Sequence, residues 1–149
     1  MKNKPLVFLV EDDSDDQYIF EMVVKELSID VDIVVFDNGL AAYQALAKTC
    51  NSESESFSEY LPDLMILDLN LPVWDGKKTL TEVKKDQRLK KIPIIIYTTS
   101  KSEYDVSDCY ELGANSFVSK APEYSTLQQQ IKGIFNYWLS DVTLPSMYT

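Results

Sequence analysis

The sequence predicts an α/β domain in which helices cover both faces of a parallel β-sheet. Short runs rich in apolar and β-branched residues alternate with longer segments whose apolar residues recur at helical spacing. Two of the short runs, Leu64–Leu67 and Ile94–Tyr97, are continuously apolar. This is typical of strands buried on both faces, so we expect them to be central. A chain of 149 residues with 45% apolar residues can form one domain with a substantial core.

Five strands are predicted in this domain, each followed by a helix or a helical turn. The strands are Leu6–Val10, Asp32–Phe36, Leu64–Asp68, Ile94–Thr98 and Ser116–Ser119. Helix starts are indicated by residues typical of first turns, namely Ser14 or Asp15, Asn38, Ser102 and the Pro122–Glu123 step. Gly113 predicts a helix end, because glycine readily adopts the left-handed conformation of a C-terminal cap.

Two segments lack the alternating pattern. Residues 48–60 are polar and acidic, which predicts an exposed, mobile loop without a catalytic role. Residues 140–149 contain Pro145 and no apolar periodicity, so we expect them to fray or to pack on a neighbouring element. The predicted single domain therefore spans residues 1–149, with a core of about residues 5–139 and a C-terminal tail.

Composition excludes several classes of function. The net charge of -10 argues against nucleic acid as a partner. The absence of histidine excludes a Ser-His-Asp triad and a phosphohistidine carrier in this chain. Cys50 and Cys109 match no metal-ligand spacing and are expected to be reduced. No apolar run approaches the roughly 20 residues that span a bilayer, so we expect a soluble, cytoplasmic protein with no membrane contact.

Polar residues follow the carboxyl ends of the predicted strands, where an open parallel sheet forms its ligand crevice. These residues are Glu11, Asp12, Asp68, Thr98, Thr99 and Lys120. We therefore expect them to converge although they are spread over most of the chain. Asp15 and Asp16, by contrast, are interpreted as acidic residues of a helix N-terminus, where they favour the helix dipole.

The residue types at this edge indicate a phosphorylation site. Carboxylates of Glu11, Asp12 and Asp68 would repel one another and require a cation, and oxygen ligands with room for water suit Mg²⁺. An aspartate can then attack a phosphoryl group and form an acyl phosphate, while a lysine such as Lys120 neutralises the phosphoryl oxygens. The Thr98 hydroxyl could donate a hydrogen bond to one of those oxygens and report that phosphate is present.

These motifs resemble the receiver domains of two-component response regulators. The matches are Val10–Asp13, Leu67–Pro72, Asp75–Gly76, Pro93–Thr99, Gly113–Ala114 and Phe117–Lys120, in order along nearly the whole chain. The resemblance implies a flavodoxin-like fold with strand order 2-1-3-4-5. It also implies phosphoryl transfer from a sensor histidine kinase and signalling to a downstream protein partner, with no enzymatic activity beyond this self-catalysed transfer and autodephosphorylation. Within the family, the chain is similar to stand-alone regulators of the phytochrome-associated type.

The resemblance also assigns roles to matching residues. The phosphoacceptor is Asp68, and the metal ligands are Asp12, Asp68, the Asn70 backbone carbonyl and Glu11, the last directly or through water. The phosphate-binding residues are Thr98, Thr99 and Lys120. The conformational switch consists of Thr98 and Phe117.

The chain departs from the family pattern after Lys120. The family usually has proline there with a cis peptide bond, whereas Ala121 follows in this chain and Pro122 comes one place later. A cis bond before a residue other than proline costs about 3 kcal/mol or more, so we expect either a trans bond with an adjusted loop or a strained bond. Glu11 stands where aspartate is commoner, and its longer side chain could reach an ion directly or through water.

Other functions fit parts of the pattern. A flavin-binding protein would need a Ser/Thr/Gly loop after the first strand, and Glu11–Asp13 would repel the flavin phosphate. A Mg²⁺-dependent phosphatase with an aspartyl intermediate would need an acid at the position of Asn70. A degenerate receiver that acts as a phosphorylation-independent interaction module stays open because of Ala121. A homodimer through the face of helix 4, strand 5 and helix 5 also stays open.

Overall fold

Five parallel strands form one sheet, and the helices between them connect neighbouring strands. The computed structural model describes residues 4–51 and 61–145. The strands are β1 Leu6–Val10, β2 Asp32–Phe36, β3 Leu64–Leu67, β4 Ile94–Thr98 and β5 Ser116–Ser119. The helices are α1 Ser14–Glu26, α2 Gly39–Cys50, α3 Gly76–Lys85, α4 Glu103–Glu111 and α5 Tyr124–Asn136.

The sheet has the order β2-β1-β3-β4-β5, which confirms the predicted topology and the central position of β3 and β4. Val10 at the end of β1 lies opposite Leu67 of β3, and Leu67 lies opposite Ile96 of β4. Asp68 was predicted as the last residue of β3, but it follows the strand. Its own side chain accepts a hydrogen bond from the Leu69 N–H at 2.6 Å, and this local bond accompanies the turn out of the sheet.

The two faces of the sheet carry separate apolar cores. On one face, side chains of β1, β3 and β4 pack against α1 and α5, with Phe20 and Phe135 in edge-to-face contact at 5.9 Å between ring centroids. On the other face, the strands pack against α2, α3 and α4. Every residue of β3 and β4 is buried, as their continuously apolar sequences predicted.

Polar caps fix where the helices start. Asn38 and Ser102 accept hydrogen bonds from the first turns of α2 and α4, as expected. The first helix begins at Ser14, but the capping side chain belongs to Asp13, which accepts from the N–H groups of the next turn. Gly113 has φ of 107°, which confirms a left-handed residue at the end of α4.

The two segments without periodicity differ from the prediction at their edges. Lys48–Cys50 belong to α2 rather than to a loop, because the helical hydrogen bonds continue to Asn51, whose N–H donates to the Ala47 carbonyl at 3.0 Å. The rest of the predicted loop, residues 52–60, lies outside the described residues. After α5 the chain forms a π-helical turn, Tyr137–Asp141, in which Trp138 and Leu139 pack on the α1 and α5 core.

Cys50 and Cys109 are free thiols, as expected. In the part of the chain that the structure describes, every helix is too short or too polar to cross a bilayer.

The close approach of α3 to the end of β3 gives a testable pair of substitutions. A Cβ at Gly76 would lie 2.2 Å from the Asp68 carbonyl oxygen, whereas a Cβ at Gly133 would meet no atom within 4 Å. We expect Gly76→Ala to lower the free energy of unfolding by about 1–3 kcal/mol, because backbone must move. The matched control Gly133→Ala should raise it by about 0.5–1 kcal/mol, because alanine favours a helix. Urea denaturation measures both, and equal stability of the two variants would contradict this packing.

Candidate functional site

The carboxyl ends of β1, β3 and β5 bring an ammonium and several carboxylates together. The Lys120 Nζ lies 2.6 Å from Glu11 Oε2, 3.1 Å from Asp68 Oδ2 and 3.3 Å from Asp16 Oδ2. The expected convergence of Glu11, Asp68 and Lys120 is therefore found. Asp16 was interpreted only as a helix N-terminal acid, but α1 turns it toward the same ammonium.

Asp68 is a buried carboxylate with both oxygens engaged. Its residue is 8% exposed, with Oδ1 bound to the Leu69 N–H and Oδ2 to Lys120. Burial on its own would raise its pKa. Hydrogen bonding with Glu11, the charge of Lys120 and hydrogen bonding from Thr98 outweigh burial, so the pKa of Asp68 is below its usual value. Asp68 is consequently ionised at neutral pH.

Glu11 is a buried carboxyl group with a raised pKa, so it binds a proton more readily than an exposed glutamate. It is 4% exposed, and burial followed by hydrogen bonding with Asp68 raises its pKa to about 7, against the opposing effect of Lys120. Glu11, Asp68 and Lys120 line a small cavity of about 30 Å³ together with apolar residues that include Phe20 and Ile66. Two buried carboxylates sharing one lysine leave a proton on one carboxyl near neutral pH.

Lys120 is firmly held in its protonated form. Its side chain is 10% exposed, and burial would lower its pKa, but Glu11, Asp68 and Asp16 outweigh burial and raise the pKa above the usual value. All peptide bonds between described residues are trans, so Lys120 reaches the site without the family's cis bond. The Ala121 N–H donates to Gln130 Oε1 at 3.0 Å, a contact that the sequence analysis missed.

The other predicted site residues lie around this cluster in different environments. Thr98 is fully buried at the end of β4, and its Oγ1 accepts from the Ser100 N–H at 3.4 Å. Phe117 is half-buried on β5, with its N–H donating to the Tyr110 hydroxyl at 3.1 Å. The residues predicted to hold metal or phosphate from the neighbouring loops are exposed: Asp12, Asn70 and Thr99.

The cluster contains oxygen ligands that suit a hard divalent cation, but these ligands are not arranged around a common metal position. Among the described residues, no group of three or more His, Cys, Asp or Glu side chains has a geometry that could hold a metal ion. Lys120 instead lies between Glu11 and Asp68. All the predicted ligands are oxygen atoms, and three carboxyl groups, those of Glu11, Asp68 and Asp16, surround a single ammonium. Both observations fit Mg²⁺.

A second polar network connects the site to α3 and α4. The Ser100 hydroxyl donates to Asp105 Oδ2 at 2.6 Å, and Lys77 Nζ lies 2.9 Å from Asp105 and 3.0 Å from Asp108. The Ser100 N–H also donates to Thr98 Oγ1. Polar contacts through Ser100 and Asp105 therefore connect Thr98 at the end of β4 to α4 and, through Lys77, to α3. Nothing in the spacing of these residues along the sequence had indicated this network.

The loop between β3 and α3 is held in an unusual backbone conformation. Val73 has φ of 65°, which is costly for a β-branched residue. The next residue, Trp74, packs on the Tyr43 ring at 5.1 Å, and its carbonyl accepts from the Gly39 N–H at 3.1 Å. These contacts with α2 hold the strained loop beside Asp68.

Comparison with known proteins identifies a family that matches this chain. Residues 7–132 match the family model described as response regulator receiver domain. The chain is 37% identical over 141 residues to response regulator Rcp1 of Synechocystis, covering 95% of this chain and 93% of that protein. It is 30% identical over 134 residues to the probable methanogenesis regulatory protein FilR2 of Methanothrix harundinacea, covering 90% of this chain and 83% of the relative.

Solved structures agree with this match. The phosphorylated cyanobacterial phytochrome response regulator RcpA superposes with a TM-score of 0.85 at 36% identity, covering 96% of this chain and 99% of that chain. The Mn²⁺-bound form of response regulator Rcp1 superposes with a TM-score of 0.82 at 37% identity, covering 95% and 99%.

The charge balance of the cluster predicts how stability responds when the lysine is removed. Lys120→Met should lower the free energy of unfolding by about 3 kcal/mol at pH 8, because two buried carboxylates lose their counter-ion. Without lysine, folding raises the pKa of both carboxyls, so the folded state binds protons more tightly and the loss should shrink at pH 5. Glu11→Gln in the same background should restore part of the stability at pH 8.

Urea denaturation without metal measures these effects, with Lys25→Met on the exposed face of α1 as the control. A Lys120→Met variant as stable as wild type at pH 8 would show that the ammonium does not balance the buried carboxylates.

Proposed function

The chain belongs to the response regulator receiver family, and from this premise we propose that it accepts a phosphoryl group on Asp68 in a Mg²⁺-dependent reaction. One observation carries the proposal. The ionised Asp68 carboxylate directly follows β3 in a crevice, with one oxygen fixed by the Leu69 N–H and the other 3.1 Å from the Lys120 ammonium. A nucleophile fixed in this way needs little reorganisation before it attacks.

Phosphoryl transfer from a sensor histidine kinase fits this carboxylate. In the proposed step an Asp68 oxygen forms a bond to phosphorus while the bond between phosphorus and the donor imidazole nitrogen breaks. The electron pair of that bond leaves with the imidazole, and the product on this chain is an acyl phosphate. These 149 residues contain no histidine, so the phosphohistidine is not one of them. Attack of water on the acyl phosphate would return the Asp68 carboxylate.

Lys120 and Thr98 suit the two supporting roles. The Lys120 ammonium already lies at Asp68 and stays protonated, so it can neutralise the oxygens of an incoming phosphoryl group. Thr98 is fully buried next to Asp68 and has a hydroxyl that can donate to one of those oxygens. Exposed Thr99 is a further candidate for phosphate contact at the rim.

The expected cofactor is Mg²⁺, held by Asp12, Asp68, the Asn70 carbonyl and Glu11. When bound, the ion would neutralise negative charge on the carboxylates and on the phosphoryl group. The carboxylate excess of the cluster supports this assignment, as does the Mn²⁺-bound form of the similar protein Rcp1. A cation at Glu11 would allow the Lys120 ammonium to leave that carboxylate and neutralise the phosphoryl oxygens.

The signal is proposed to leave the site through Thr98. A shift of its hydroxyl toward phosphate would weaken the contact with Ser100, and Ser100 is bonded to Asp105 on α4. Phe117 on β5 is the expected second switch residue. The altered surface would be recognised by a downstream protein partner or by a second copy of the chain, bound to the face of α4, β5 and α5.

The alternative of a phosphorylation-independent interaction module rested on Ala121. The trans peptide before Ala121 leaves the Lys120 ammonium at Glu11 and Asp68, so this departure does not remove the lysine from the crevice. The geometry therefore favours phosphorylation.

Incubation with acetyl phosphate, followed by intact-mass measurement, tests the proposal. Wild-type protein should gain one phosphoryl group with Mg²⁺ and none with a chelator. Asp68→Asn should gain none. The control Asp75→Asn should still be modified, because asparagine caps α3 as well as aspartate does.

An adduct on Asp68→Asn, or no adduct on wild type with Mg²⁺, would contradict the proposal. Trp74, which lies in the loop after Asp68, gives an independent reading through its fluorescence on addition of Mg²⁺.

A further inference from the structure

One glutamine side chain on α5 holds the backbone on both sides of Lys120. Gln130 Nε2 donates to the Ser119 carbonyl oxygen at 2.8 Å, and Gln130 Oε1 accepts from the Ala121 N–H at 3.0 Å. The Lys120 N–H itself donates to the Thr98 carbonyl at 2.6 Å. The peptide that carries the lysine is thus fixed to β4 on one side and to a single amide of α5 on the other.

The Gln130 amide has one orientation that satisfies all of its neighbours. The Tyr97 hydroxyl also donates to Oε1, at 3.2 Å, so two donors meet the oxygen and one carbonyl meets the nitrogen. Rotation of the amide by half a turn would place its N–H groups against the Ala121 N–H. Tyr97 is only 3% exposed, and its ring centroid lies 5.7 Å from Lys120 Nζ. Gln130 is therefore bonded to a buried residue whose ring also lies beside the lysine.

The chain has a specific need for this amide. β5 is an edge strand that ends at Ser119, so the loop beyond it has a neighbouring strand on one side at most. An alanine after Lys120 adds a backbone N–H that a proline would lack. Half-buried N–H and C=O groups without partners destabilise a loop, and Gln130 pairs both.

Placement of the Lys120 ammonium depends on this backbone. The lysine side chain is a flexible four-carbon stem, so its charge meets Glu11 and Asp68 reliably only where its Cα is held. A shift of about 1 Å in a group that acts at the reacting atoms can slow a reaction up to about 100-fold.

We propose that Gln130 is the positioning residue for Lys120, holding the Ser119–Ala121 backbone so that the ammonium reaches Glu11 and Asp68. The catalytic part of this inference rests on the proposed function, because it assumes that Lys120 serves phosphoryl transfer.

The first test measures the initial rate of phosphorylation by acetyl phosphate with Mg²⁺. Gln130→Met keeps the length of the side chain and removes all three hydrogen bonds, so we expect phosphorylation to slow about tenfold. The control Gln129→Met makes the same change at the neighbouring exposed residue and should leave the rate unchanged. In a Lys120→Met background, Gln130→Met should cause no further slowing, because a positioning residue acts only through the lysine.

The second test needs neither metal nor phosphodonor. Brief acetylation of lysines, followed by mass measurement of the peptide containing Lys120, reports how accessible its ammonium is. In wild type the side chain is 10% exposed and should react slowly. Gln130→Met should raise labelling of Lys120 several-fold relative to the exposed Lys25, while Gln129→Met should not.

The two tests separate the inference from the proposed function. If wild type takes up no phosphoryl group but Gln130→Met raises Lys120 labelling, the proposed function fails and the positioning role stands. Equal labelling of Lys120 in wild type and Gln130→Met overturns the positioning role whatever the rates are. An equal slowing by Gln130→Met with and without Lys120 also overturns it, because the effect is then only structural.

Discussion

The ion pairs of Lys120 with Glu11 and Asp68 are the interaction on which this site depends. They join the ends of β1, β3 and β5 through a single ammonium. Burying two carboxylates with one lysine is a poor way to gain stability, because desolvation of the charges offsets most of their attraction. Burial and the hydrogen bond with Asp68 raise the pKa of Glu11 even though Lys120 opposes them. A site with more carboxyl groups than ammonium groups suits the uptake of a cation, as the proposed function requires.

The surrounding fold is arranged to hold these charged groups. Parallel pairing brings Val10, Leu67 and Ile96 side by side, so the residues after them lie at one edge of the sheet. Gly76 lets the start of α3 approach the Asp68 carbonyl, where any larger residue would collide with backbone. Apolar residues of the core between the sheet and α1 and α5, such as Phe20, line the small cavity beside Glu11. Burial is the largest cause of the raised pKa of Glu11.

Much of this arrangement could be predicted from sequence because it depends on local patterns and on the rules of parallel sheets. Continuously apolar runs located β3 and β4, and the strand-end rule brought Glu11, Asp68 and Lys120 together before any coordinates were known. The strand order came from the resemblance to receiver domains. Residues whose role depends on three-dimensional contacts were missed. Asp16 was interpreted as a helix-dipole acid, and its side chain reaches Lys120 only because of the way α1 packs. Gln130 stands in a run of three glutamines, and only the fold distinguishes it from Gln128 and Gln129.

A structure determined with Mg²⁺ and beryllium fluoride, a mimic of the phosphoryl group, would test the central claim most directly. We expect a beryllium atom bonded to an Asp68 oxygen, with the Lys120 ammonium moved from Glu11 to a fluoride of the mimic. The metal should lie among Asp12, Asp68 and the Asn70 carbonyl. A mimic bound elsewhere would contradict the proposal. So would a mimic bound at Asp68 while Lys120 stays paired with Glu11, because the ammonium would then not have moved from the carboxylate to the phosphoryl group.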